Sequence, residues 1–496
     1  MRIVQVAAEF APIAKAGGLG EVIVGLSREL TRIREEVEVI LPKYNFILPN
    51  QLRHLQLEIP DFKVPENGKQ IANAMWSAEA ENCRLHLLEV RHSAGYFHRG
   101  KIYGCEDDIP RFLYFSRAVV EYLKLKKQPI DILHLHDWHV SAIAPLIRDL
   151  FKKEIPVKSI VLTIHNAEYQ GHCAAHDLTA IGLNGESYLT PEKLADEVHP
   201  KSINLLKGGI VYADAVTTVS PTYAKEILTA AHGFHLDSTL RKYQGKLNGI
   251  LNGIDHKLWN PATDSYLVAQ YSNLDPIAKI IAAKKHNKHA LEQQFGLSNS
   301  GRPWVGAITR LAHQKGPELI EAGLRQTVLL GGSFALLGST HSPKLQKHFE
   351  DLQQHFHGNK QAFIQLQYNE ALAHQLYAAL DFVLIPSHFE PCGLAQLIAI
   401  RYGALPIVRA TGGLKDTVFD CDDLMIPLGK RNGFSFLQAT PQALTATLER
   451  ALHSWRTDPA TTAATIQRAM QLDFGWKKPA QEYLRLYKKS AQSVAI

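Results

Sequence analysis

Residues 2–26 read RIVQVAAEFAPIAKAGGLGEVIVGL. A β-branched apolar run opens this stretch, glycines follow at Gly17, Gly18 and Gly20, and apolar residues then recur at helical spacing to Leu26. A strand, a tight turn and an amphipathic helix in that order form the opening unit of a parallel α/β sheet, whose strands are buried on both faces. The same rhythm recurs at VEVILP (37–42), RLHLLEV (84–90), DILHLH (131–136), SIVLTIH (159–165) and DAVTTVS (214–220). It restarts with PWVGAITR (303–310), SFALLGS (333–339), AFIQLQ (362–367), DFVLIPS (381–387) and ALPIVRA (404–410), with helix-like stretches such as ALAHQLYAAL between them. The fold class expected is α/β, with two doubly wound, Rossmann-like domains.

Length agrees with that division, since 496 residues exceed what one core usually serves. Between the two series lies KLNGILNGIDHKLWNPATD (246–264), dense in Gly, Asn, Asp and Pro, a composition that favours turns. The domains are therefore expected at 1–247 and 248–475, with a closing amphipathic helix over 476–496 that carries Tyr483, Leu486 and Tyr487 on one face. In open parallel sheets ligands bind beyond the carboxyl ends of the strands, so two such domains facing each other would form a cleft, and chemistry is sought in the strand-to-helix loops.

Composition narrows the classes of function. Apolar residues make up 46% and charged residues 21%, and no run reaches the length of a membrane span. The N-terminal run is short and lacks a cleavage signature, which suggests a cytoplasmic protein. A net charge of +6 with interleaved signs gives no footprint for nucleic acid. The five cysteines form no C-x-x-C pair, so neither a disulfide framework nor a zinc site is expected.

The loops are more specific. Lys15, Gly17 and Gly18 precede a helix whose positive end could hold a phosphate, or simply make a turn. Arg310 ends one strand and Lys315 opens the next helix, a pair suited to an anionic leaving group unless both are solvated surface cations. PSHFEPCGL (386–394) places Glu390 to accept sugar hydroxyls, and Gly393 and Leu394 at a helix start, while Cys392 reads as a packed residue. Thr411, Gly412 and Gly413 form a similar helix start. Tyr368 precedes a helix and offers a flat face to a base, or to the core. His134 and His136 share a strand face, but with no partner cluster nearby a metal is not expected. Asp137, His165 and Asn166 end strands where they could bind a sugar or satisfy each other.

Taken in order, KAGGLGEV, HLHDWH, NGID, TRLAHQKG, FEPCGL and TGGLKDT resemble the motifs of the bacterial glycogen synthases and plant starch synthases along nearly the whole chain. The resemblance implies a GT-B fold with the active site between its domains. It implies transfer of glucose from ADP-glucose to the non-reducing end of an α-1,4-glucan, with retention of configuration and no cofactor or metal. Lys15 and Gly18 would then face the donor phosphates, Arg310 and Lys315 would neutralise the diphosphate, and His165 would meet the glucose near its 6-hydroxyl. Asp137 and Asn166 would line the reaction centre, and Glu390, Cys392, Gly393 and Leu394 would hold sugar and phosphate. Asn252 would belong to the cleft, Tyr368 would stack on the base, and Thr411 with Gly412 and Gly413 would close the phosphate side. The chain departs from the family pattern at Glu21, His388, Ala395 and Ile398, where Asp, Arg, Thr and Tyr are usual.

Overall fold

The computed structural model describes residues 1–297 and 301–493. The chain divides into two compact units, Met1–Gly253 with the segment from Trp476 on, and Ile254–Gly475.

In the first unit the strands are β1 (Arg2–Val6), β2 (Glu36–Pro42), β3 (Arg53–Glu66), β4 (Lys69–Ala80), β5 (Cys83–Val90), β6 (Ile130–His136), β7 (Val157–Ile164), β8 (His172–Cys173), β9 (Ile203–Asn204), β10 (Ala215–Thr218) and β11 (Leu247–Gly249). β8 and β9 form a small antiparallel pair, and the other nine form one sheet in the order β11-β10-β7-β6-β1-β2-β5-β4-β3. Pairing is parallel from β11 to β5 and antiparallel from β5 through β4 to β3.

Side-chain alternation along the parallel strands builds a core on each face. Val4, Leu133, Leu135, Ile160 and Leu162 belong to the larger one. Ile3, Ile132, Val161 and Ala215 face the other way and are covered by Val22, Leu26 and Leu30 of the helix Gly18–Arg32, and by Ala480, Tyr483 and Tyr487 of the helix Lys477–Ser493. Gly25 makes the close approach possible, because a Cβ there would lie 2.0 Å from the Trp476 ring nitrogen.

The hairpin β3–β4 is not among the expected strands. Its turn is Asn67-Gly68, both at positive φ (48° and 74°), as a two-residue hairpin loop with right-handed strand twist requires.

The junction also differs from the expected 247/248 boundary. Leu247–Gly249 adds to the sheet beside β10, and the Ile250 amide donates to the Thr218 carbonyl at 2.8 Å, so residues 248–253 stay with the first unit. Asn252 therefore belongs to the first unit rather than the second.

The second unit holds β12 (Trp304–Arg310), β13 (Ser333–Ser339), β14 (Ala362–Gln365), β15 (Phe382–Ile385), β16 (Leu405–Arg409) and β17 (Phe434–Phe436). They form an all-parallel sheet in the order β14-β13-β12-β15-β16-β17. Its core runs through Val305, Leu336, Val383, Leu384 and Ile407, under the helices Pro317–Leu329, Glu370–Ala379 and Ala395–Arg401. Among the described residues no helix is long and apolar enough to cross a membrane.

Candidate active site

The first sheet reverses direction at β1, with β2 on one side and β6 on the other, and the second reverses between β12 and β15. Loops leaving the strands diverge at such points and open a crevice. The expected site residues lie at the carboxyl ends of the strands, most of them at or next to these points, while Asn252 and Tyr368 follow the edge strands β11 and β14.

In the first unit the loop after β1 turns on Glu9, which is 3% exposed. Its Oε2 accepts from the amides of Ala16 (2.8 Å) and Gly17 (2.9 Å), and its Oε1 accepts from the Tyr103 hydroxyl at 2.9 Å. The glycine-rich turn is thus organised by the chain's own carboxylate, and the Gly17 amide that the sequence offers to a phosphate is engaged here. Gly18 opens the following helix, with Gly17 as its extended N-cap. Lys15 pairs with Glu21 at 2.6 Å, so the longer acid at this position reaches the lysine.

Asp137 follows β6 at φ 61°, a conformation uncommon for a residue with a Cβ. Its amide donates to the Thr163 carbonyl at 3.0 Å, and its Oδ1 accepts from the His165 amide at 2.7 Å. Burial raises its carboxyl to about 7, against the pull of the His165 and Asn166 amides and with a further push from Glu9. Its proton therefore exchanges near neutral pH. His165 lies just beyond β7, and burial lowers its imidazole to about 3, so the ring is neutral. The Asn166 Oδ1 accepts from the Glu168 amide at 3.0 Å.

Two histidines of HLHDWH, His134 and His139, are structural. His134 sits between the Thr163 hydroxyl (2.7 Å) and the Tyr487 hydroxyl (2.8 Å), and the His139 ring stacks on Trp138 with centroids 4.1 Å apart. Asn252 is 7% exposed, and its Oδ1 has no hydrogen-bond partner among the described residues.

In the second unit the central pair is Lys315 and Glu390. The ammonium lies 2.8 and 2.6 Å from the two carboxylate oxygens, and the Ser387 hydroxyl donates to Oε2 at 2.9 Å. Gly316, at φ 64°, lets the loop after β12 pass under the loop after β15, since a Cβ would lie 2.7 Å from the Pro386 carbonyl oxygen. Gln314 and His388 add a backbone bond at 2.8 Å between the same two loops. The loop after β16 closes over them, with the Gly413 amide donating to the Glu390 carbonyl at 3.0 Å. A Cβ on Gly412, whose φ is 46°, would lie 1.9 Å from that same oxygen. Thr411 is the extended N-cap of the short helix Gly412–Thr417.

Cys392 is 5% exposed, in keeping with a packed rather than a reactive thiol. Gly393 stands at φ 72°, and Leu394 caps the helix Ala395–Arg401. His388 pairs with Glu318 at 2.6 Å. Arg310 projects from the end of β12, exposed and without a hydrogen bond to the Lys315–Glu390 pair among the described residues. Tyr368 is 53% exposed in the loop after β14.

Sequence reading missed Glu9, Tyr103, Ser387 and Gln396. The Gln396 amide is 0% exposed and donates to the Cys392 and Gly393 carbonyls at 3.0 and 2.8 Å, which fixes the FEPCGL loop. A cavity of about 680 Å³ in the second unit, lined by Lys284, Lys288, Trp455 and Pro459 among others, also borders Asp381. Asp381 directly precedes β15, so this cavity lies at the amino ends of the strands and away from these loops.

A largely parallel sheet in one unit and an all-parallel sheet in the other, each with its candidate residues at the carboxyl ends of the strands, belong to a glycosyltransferase of the GT-B fold, as the similarities that follow show. The family model described as starch synthase catalytic domain matches residues 2–242, and that of glycosyl transferases group 1 matches residues 290–469. The chain is 43% identical to glycogen synthase of Protochlamydia amoebophila, covering 98% of this chain and 99% of that one. It is 44% identical to the probable starch synthase 4 of Arabidopsis thaliana, over 98% of this chain and 47% of that longer protein. The solved catalytic domain of starch synthase IV from Arabidopsis thaliana, bound to ADP and acarbose, superposes with a TM-score of 0.94 at 43% identity, covering 99% of each chain. The sucrose-phosphate synthase of Thermosynechococcus elongatus shares the fold at a TM-score of 0.60 and 19% identity, covering 98% of each chain. The chain belongs to the glycogen synthase and starch synthase family.

Proposed function

We propose that the protein transfers glucose from ADP-glucose to the non-reducing end of an α-1,4-glucan with retention of configuration, releasing ADP, as a cytoplasmic step of glycogen biosynthesis. The observation that carries this reading is the Lys315–Glu390 pair, an ammonium and a carboxylate in direct contact at the carboxyl ends of β12 and β15. In it Glu390 receives glucose hydroxyls, while Lys315 and the exposed Arg310 face the diphosphate. ADP and acarbose in the related starch synthase IV structure support the choice of donor and acceptor class. The acceptor 4-hydroxyl forms its bond to the anomeric carbon on the face from which the diphosphate oxygen departs, and its proton passes to that leaving oxygen. Lysine and arginine take up the negative charge that builds there, so no metal ion or cofactor is required. In the first unit His165 and Asp137 serve the sugar, with Lys15, Asn166 and Asn252 as further donor-binding residues; in the second unit Tyr368 serves the base and the Thr411–Gly413 loop the phosphates.

The test is transfer of labelled glucose from ADP-glucose and, separately, UDP-glucose onto glycogen, with and without a chelator. Chelator-resistant incorporation with ADP-glucose preferred is the expected result. Folded protein that incorporates from neither donor would sink the proposal, and a preference for UDP-glucose would overturn the choice of nucleotide.

A further inference from the structure

One face of the first sheet carries a row of polar side chains where apolar ones are the rule. Gln5, His134, His136, Thr163 and Thr217 are each 0% exposed, and all lie on the face covered by the helix Lys477–Ser493. Buried polar groups cost free energy unless each finds a partner, and this row is bonded through its length. The Gln5 amide nitrogen donates to the Ser27 hydroxyl at 2.8 Å, and its Oε1 lies 3.1 Å from the His136 Nε2. The His136 Nδ1 lies 3.1 Å from the His165 Nε2. At the far end, the His165 Nδ1 makes no hydrogen bond among the described residues.

The order of protons along this row follows from what each atom can do. An amide oxygen only accepts, so His136 carries its proton on Nε2. Burial, reinforced by His134 and His165, holds the His136 imidazole far below its ordinary range, so the ring is neutral and its Nδ1 is bare. The proton shared by the two rings then belongs to the His165 Nε2. His165 is neutral as well, which leaves its Nδ1 without a proton.

We infer that Gln5 and His136 are positioning residues that fix His165 as the tautomer protonated on Nε2, so that it offers a hydrogen-bond acceptor, not a donor, to a hydroxyl of the bound sugar. The ring nitrogen that faces a ligand is set by the bond the other nitrogen makes, and here that bond is passed through His136 from a glutamine two strands away. The tautomer follows from the relay itself. The role toward a sugar hydroxyl rests on the glucosyltransferase reading.

The experiment is long-range proton–nitrogen correlation on full-length protein with ¹⁵N-labelled histidine at about pH 7, with the His165 signals assigned by their loss in His165→Asn. The expected spectrum has a protonated Nε2 and a bare Nδ1 for His165. In Gln5→Met, which keeps the volume but removes the acceptor, both His165 nitrogens move toward values averaged between the two tautomers, and kcat/KM for glucose transfer falls about tenfold, the worth of one misplaced hydrogen bond. His136→Gln serves if Gln5→Met does not fold, with the same readout. A wild-type His165 protonated on Nδ1, as a reversed Gln5 amide would give, overturns the inference. So do unchanged His165 signals in a folded variant. Wild-type protein that transfers no glucose removes only the sugar role.

Discussion

At the scale of single residues, function rests on contacts that commit charged groups to each other. Lys315 and Glu390 touch at 2.6 Å and are 19% and 6% exposed at their side chains, so neither can be removed without stranding the other. Lys315→Ala and Glu390→Gln are each expected to lower kcat by roughly 100-fold or more while the protein stays folded. The double variant is expected to lose little beyond the worse single one, because groups acting as a unit are not additive. Steady-state rates of glucose transfer for the three proteins decide this, and independent, multiplying losses would show that the pair does not act as one unit. These two residues were legible in the sequence because TRLAHQKG and FEPCGL each follow an apolar strand. Glu9 was not, since the glycines that follow it suggested an external anion and nothing in the spacing shows that a carboxylate from earlier in the same loop fills the turn. Gln5 and His136 were hidden for another reason. Their contact joins strands far apart in the chain, and only the sheet order brings them together.

At the scale of elements, the parallel strands were readable because burial on both faces makes them continuous apolar runs. The hairpin β3–β4 was not, because its outer strand is largely exposed and polar, although Asn67-Gly68 marks its turn. Besides the β4–β5 ladder, a charge cluster ties that hairpin to the sheet. His86 on β5 pairs with Glu58 on β3 at 2.8 Å and lies 3.8 Å from Glu38 on β2, with Tyr122 and Lys126 of the helix Asp108–Lys126 also on Glu58. Burial alone would raise both carboxyls and lower the imidazole. The ion pairs win, which leaves Glu38 and Glu58 at about 2 and His86 above its usual range. The carboxylates contribute stability above their unfolded value of 4.5, which is lost as pH falls toward 2. The imidazolium contributes below its unfolded value of 6.5, and its part is lost as pH rises through the raised folded value. His86→Leu is therefore expected to cost about 3 kcal/mol in the window between these limits and progressively less above it. Urea unfolding of both proteins across pH checks this, and a cost that does not vary with pH would show that packing, not charge, is what His86 supplies.

At the scale of the whole molecule, two units are built from one chain that leaves the first and later returns to it. The return is sealed by Trp476, whose indole lies where any side chain on Gly25 would stand. Gly25→Ala is expected to displace that ring and cost about 1 to 3 kcal/mol through overpacking. The measurement is thermal unfolding together with tryptophan fluorescence. Combining the change with Trp476→Ala, which empties the space, should recover most of the loss caused by Gly25→Ala, and a simple sum of the two losses would count against the contact. The doubly wound parallel class of both units was expected from the repeated strand–helix rhythm, whereas the strand order and the exact handover at Gly253 were not, the latter because a Gly- and Asn-rich stretch can end a sheet as well as link two. The returning helix has a consequence for synthesis. During translation the first sheet emerges early, but the helix that covers Ile3, Ile132 and Val161 is made only after all of Ile254–Gly475, some tens of seconds later at about 5–20 residues per second. For that interval the nascent first unit waits on the ribosome with part of one sheet face, apolar and polar side chains together, still uncovered, so the unit begun first is the last to be finished.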